Sequence, residues 1–97
     1  MTEVFPIPGD VIIKKRGNSV TRVLDCKAII LIKENQRPFR LNEVGTKIWE
    51  WMDTPRQKNE LIELMCTAYQ TEKSDVTSDL DSFLLELYLK NLIETDH

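Results

Sequence analysis

The sequence predicts an α+β fold, a three-stranded antiparallel sheet followed by three helices, and three observations carry that prediction. Up to Leu41, apolar residues alternate with polar ones in the two-residue rhythm of strands. Beyond Val44 they recur at three and four, the rhythm of amphipathic helices. Turn signals at Gly17-Asn18-Ser19, Asp25-Cys26 and Glu34-Asn35-Gln36 cut the first half into hairpin-sized pieces. Asn42 sits at the change of rhythm, inside RPFRLNEVGTKIWEW (residues 37–51), and its short side chain suits an N-cap.

Residues 1–10 contain Pro6, Pro8 and Gly9 and read as an irregular arm. Residues 11–16 (VIIKKR) form a first strand and residues 19–24 a short return. Residues 27–33 (KAIILIK) are the most apolar run and the natural central strand. Residues 37–41 come back as the last strand. Pro38 offers no amide hydrogen to a ladder, which confines it to an edge strand or a strand start. The last strand is therefore expected at an edge, where unpaired backbone groups must be protected or used.

The first helix is expected over residues 43–52, with Val44, Ile48 and Trp51 on one face and Trp49 beside them. Gly45 within it costs about 1 kcal/mol against alanine, and a close helix crossing is the usual compensation. Thr54-Pro55-Arg56-Gln57 predicts the start of the second helix, with proline at the first helical position and a Thr54–Gln57 capping box. Leu61, Leu64, Met65 and Ala68 form its stripe, widened by Ile62, Cys66 and Tyr69. Ser74 is the expected cap of the third helix, whose core stripe is Val76, Leu80, Phe83, Leu84 and Leu87. Asn91 suits a left-handed C-terminal residue, after which Leu92 and Ile93 tuck back. Residues 94–97 are expected to fray. The chain reads as one domain over residues 1–97, and its sheet-then-helices order is winged helix-turn-helix-like.

At 97 residues such a chain buries enough surface for one modest core without metal or disulfide support. No apolar run is long enough to span a bilayer and residues 1–10 (MTEVFPIPGD) lack a basic segment followed by an apolar one, so a cytoplasmic location is expected, with no membrane partner. Cys26 and Cys66 read as partly buried small hydrophobes. The net charge of −3 argues against general nucleic-acid affinity. Its distribution is uneven: residues 1–40 carry eight basic and four acidic groups, and residues 41–97 five and twelve.

The residues offer little for catalysis. The only histidine is His97 at the end of the chain, and the three glycines, Gly9, Gly17 and Gly45, make no phosphate loop. Asp79 and Asp81 lie two apart on a helix and so point about 200° apart around its axis, which fits solvated surface better than a carboxylate pair. The reading is a non-enzyme with no cofactor, no metal site and no catalytic residue. One oddity remains. Leu85, Tyr88, Leu89 and Leu92 form a second apolar stripe on the third helix, and a helix so widely apolar is either deeply buried or binds something.

LNEVGTKIWEWM at residues 41–52 resembles the LNxxGxxIW signature of the pyrroloquinoline quinone synthesis protein D family. The likeness continues through Asp53-Thr54-Pro55-Arg56, Leu61, Tyr69, Asp79-Leu80, Phe83-Leu84, Leu87 and Leu92-Ile93. That family comprises leader-peptide recognition elements of ribosomally made, post-translationally modified peptide pathways, and the hairpin start is most similar to the stand-alone leader-binding proteins of lasso-peptide clusters. The resemblance implies a non-catalytic adaptor. It would bind a precursor's leader as an added strand on the last strand, against the third helix, and pass it to a protease, cyclase or radical SAM enzyme. Carried onto this chain, Arg37, Pro38, Phe39, Arg40 and Leu41 line the strand side and Asp79, Phe83 and Glu86 the helix side. Three departures are Asn91 where the family usually has glycine, apolar Leu85 and Leu89 where it tends to be polar, and Pro38, which removes one backbone donor from the implied binding edge. Two other readings stay open: a winged-helix DNA-binding regulator, for which the second and third helices carry few cations, and a dimerising structural module using Leu85, Tyr88 and Leu89, a homodimer.

Overall fold

A run of alternating residues becomes a strand only if its backbone finds partners, and the partners here divide the strands into two sheets. The computed structural model describes residues 7–34 and 36–96, so residues 1–6 of the expected arm, Asn35 of the third turn and His97 lie outside the described residues. The strands of the first half are β1 (Ile12–Lys15), β2 (Ser19–Leu24), β3 (Lys27–Ile32) and β4 (Pro38–Arg40). The first sheet runs β2-β3-β4 and is antiparallel throughout, with the most apolar run central and β4 at an edge. Asp25 and Cys26 both adopt positive φ, 53° and 64°, between the paired Leu24 and Lys27. That is the two-residue hairpin turn whose twist matches the strands. It leaves Cys26 exposed rather than half-buried as expected.

β1 departs from the expected sheet. It pairs instead with β5 (Arg56–Gln57) and β6 (Ile93–Asp96) in a second sheet ordered β5-β1-β6. Two expectations are corrected together. Arg56 and Gln57 are strand rather than the first turn of a helix, and the expected frayed tail is ordered as β6 up to Asp96. The physical reason is shared. Ile13 is fully buried, and burying it requires hydrogen-bonded neighbours for β1. Asn91 takes the left-handed conformation foreseen for it, φ 59°, and turns the chain so that Leu92 and Ile93 enter the core and β6 aligns with β1.

Three helices complete the fold: α1 (Glu43–Trp51), α2 (Lys58–Tyr69) and α3 (Lys73–Leu89). Because residues 56–57 are strand, the cap of α2 shifts from Thr54 to Gln57, and the capping box forms between Gln57 and Glu60. The cap of α3 shifts from Ser74 to Glu72, whose carbonyl already accepts the amide of Val76 at 3.1 Å. On α3, Val76, Leu80, Leu84 and Leu87 are buried as the stripe predicts, whereas Phe83 is only partly so.

Among the described residues one charge is buried. Lys58 is 5% exposed; its Nζ donates to the Ile7 carbonyl at 2.7 Å and lies 2.5 Å from an Asp81 carboxylate oxygen. Asp81 is thus not the solvated surface group expected beside Asp79; α3 turns it inward onto α2. Removing it would strand an ammonium in the core. Asp81→Ala is expected to lower stability by about 3 kcal/mol, the low end for a buried pair because Asp81 keeps some contact with water. Lys58→Met with Asp81→Leu should recover most of that loss. Urea unfolding midpoints of the three variants check this.

Candidate functional site

The edge of β4 is built by register. Ile32 takes the Arg37 carbonyl as acceptor and Leu41 donates to the Ala28 carbonyl, so residues 37, 39 and 41 turn their backbone groups toward β3. Hydrogen-bonded and free pairs alternate along an antiparallel ladder. The backbone groups of Pro38 and Arg40 therefore face the open side. Proline costs the ladder to β3 nothing there, and it removes one donor from the open edge. The side chains divide in the opposite sense: Phe39 shares the core side with Ile30, and Pro38 and Arg40 point to the outer face.

The wall facing this edge comes from α3. Asp79, Phe83, Glu86 and Lys90 recur at intervals of four, three and four, and so form one line along the helix. Near one end, a methyl placed on Gly45 would lie 3.3 Å from the Phe83 ring and from Asn42 Oδ1. This is the close helix crossing that Gly45 implied. At the other end Lys90 Nζ sits 4.8 Å above the Phe39 ring, tying the end of α3 to β4. Just beyond β4 a cavity of about 290 Å³ opens between α1 and α3, lined by Val44, Gly45, Ile48, Met65, Asp79 and Phe83, with Asn42 at its mouth. Asn42 Oδ1 accepts the Gly45 amide at 2.7 Å, which fixes the start of α1 against the cavity.

Most of the sequence-predicted site residues come together, though in different capacities. Pro38 and Arg40 are exposed on the edge, Phe39 is half-buried under Lys90, and Arg37 is exposed just before β4. Leu41 is 6% exposed and belongs to the core, so it positions the edge rather than lining it. Asp79 and Phe83 line the cavity; Glu86 lies outside it, exposed on the same line of α3. Sequence reasoning missed Val44, Met65 and Lys90. Val44 was assigned to the core face, yet it is 39% exposed at the cavity wall. The four-three-four spacing from Asp79 was the available signal for Lys90.

The site joins backbone groups of the β4 edge, an apolar hollow at its end and a line of charged side chains on α3. Such an arrangement suits an extended chain. Among the described residues no group of three or more His, Cys, Asp or Glu is placed to hold a metal ion, and no helix is long and apolar enough to cross a membrane.

Comparison with known proteins bears on this geometry. A family model described as coenzyme PQQ synthesis protein D matches residues 27–93, which takes in β3, β4 and all three helices. Among solved structures, TbiB1 in complex with the TbiA(beta) leader peptide is similar, with a TM-score of 0.78 and 27% sequence identity over 84% of this chain and 94% of that one. No curated protein matches.

The cap at the cavity mouth is open to test. Asn42→Ala removes the acceptor for the Gly45 amide and is expected to cost about 1 kcal/mol, read from urea unfolding.

Proposed function

This chain belongs to the coenzyme PQQ synthesis protein D family, and from that membership we propose that it captures the leader segment of a ribosomally made precursor peptide. The leader adds as a strand to the open edge of β4 and lies against the Asp79–Phe83–Glu86 line of α3. The observation that carries this reading is the β4 edge, which pairs with no further strand among the described residues, beside that line and with an apolar cavity at its end. The likeness to TbiB1 bound to a leader peptide supports it. Strand addition supplies backbone hydrogen bonds that tolerate sequence, and the cavity supplies selectivity by taking one apolar side chain of the leader. Arg37, Arg40 and Lys90 suit a leader carrying carboxylates nearby.

On this reading the protein acts as an adaptor, holding the leader for another protein to process. The partners are a lasso-type precursor and the protease, cyclase or radical SAM enzyme that processes it, all in the cytoplasm. A second reading rests on Leu85, 39% exposed, and Leu89, 70% exposed, the part of the second stripe that stays in solvent and pairs two copies; Tyr88 is half-buried and Leu92 lies in the core. Light scattering decides: a dimer mass in the wild type that falls to a monomer in Leu85→Glu, Leu89→Glu supports it, and a monomer in both removes it.

The leader reading is tested by titrating ¹⁵N-labelled protein with leader peptides encoded beside its gene. Amides of residues 39–45 and of α3 near Phe83 are expected to shift, and silence there with every leader overturns the reading. Pro38→Ala restores a donor to the open edge, worth about 0.5–1.5 kcal/mol for one hydrogen bond, and so should tighten leader binding about two- to tenfold. Phe83→Ala widens the cavity and should weaken binding with little change in fold.

A further inference from the structure

An antiparallel sheet with one face in water ordinarily covers that face with polar side chains. The outer face of β2-β3-β4 does not. Residues opposite one another across an antiparallel pair share a face. Val20 stands opposite Leu31, and Leu31 opposite Pro38, so these three form one apolar row across the sheet on the side away from Ala28 and Ile30. Val20 is 47% and Leu31 37% exposed. The neighbouring rows carry Arg22, Lys27 and Arg40, and the paired residues of this face include no acid. None of the three cations enters an ion pair among the described residues. Along the row lies a shallow groove of about 350 Å³ whose lining includes Val20, Arg22, Leu31 and Lys33.

We propose that this outer face docks an acidic, apolar-centred protein surface, that of the enzyme which processes the captured leader; the identity of that partner rests on the leader-capture reading. Charge decides among occupants. A second copy meeting this face with its own would set Arg22, Lys27 and Arg40 against the same charges. Nucleic acid needs many phosphate contacts or aromatic stacking platforms, and this face offers four cations, Arg22, Lys27, Lys33 and Arg40, and no aromatic ring among its paired residues. An apolar patch ringed by carboxylates satisfies both halves of the surface: it covers the row and pairs the cations. The location also fits delivery. β4 is an edge of this same sheet, so an enzyme seated over β2 and β3 sits beside a leader strand without covering the edge that holds it.

The test uses the full chain, as wild type and as Arg22→Glu, Leu31→Ser, both on exposed positions outside the leader site. Each is titrated by calorimetry with the purified processing enzyme encoded beside its gene, without leader, and separately with the leader peptide. Expected is a loss of enzyme affinity of about tenfold or more in the variant, with a steeper salt dependence in the wild type and leader affinity within about twofold. Lys27→Glu alone gives the same direction should the double variant fail to fold. Equal enzyme affinity in wild type and variant overturns the proposal. So does a wild-type dimer that the variant dissolves, which makes a second copy the occupant, or duplex DNA binding that the variant loses. If the wild type binds no leader, leader capture falls, and the enzyme titration still decides the docking face.

Discussion

One turn of α1 holds the strands in place. Thr46 and Trp49 lie three apart and are both buried. The Thr46 hydroxyl accepts the Ala28 amide at 2.7 Å, just past the end of β4, where Leu41 still donates to the Ala28 carbonyl. The Trp49 indole nitrogen donates to the Thr21 hydroxyl at 2.9 Å, reaching β2. Lys15 of β1 lies 4.2 Å from the centre of the same ring and also pairs with Asp53. Strands from both sheets are thus fixed to one helical turn. A buried amide or indole nitrogen left without a partner is costly, so this set is held together as a unit.

From that turn the geometry of the site follows. Asn42 and Gly45 begin the same helix, and Gly45 lets Phe83 approach closely enough to close one end of the cleft. Leu41, buried between the two halves, fixes where β4 stops and hence which backbone groups face outward. The edge is short and carries proline, so in the proposed leader site backbone recognition alone would be weak, and the cavity beside it and the charged line on α3 would add side-chain selectivity. The outer face of the sheet, remote from α1, is free for a different contact.

The division between what was legible and what was not falls along the range of the interactions. The cap at Asn42, the edge position of Pro38, the close crossing at Gly45 and the left-handed Asn91 could each be read from a residue and its near neighbours, and the structure has all four. The Thr54 box looked equally local, yet it lost to pairing of Arg56 and Gln57 with β1, more than forty residues earlier in the chain. The inward turn of Asp81 depended on Lys58, on another helix.

The sequence by itself determined the order of the first four strands and the three helices, the hydrophobic stripes of the helices and the residues that form the β4 edge, because periodicity and side-chain shape act over a few residues. Only the tertiary structure decided that β1 leaves the first sheet for a second one closed by β5 and β6. It also decided that Val44 lines a cavity instead of the core, and that Val20, Leu31 and Pro38 share an exposed row. Those outcomes depend on which distant backbone groups meet and in what register, and a shift of one residue would reverse every side chain on the sheet.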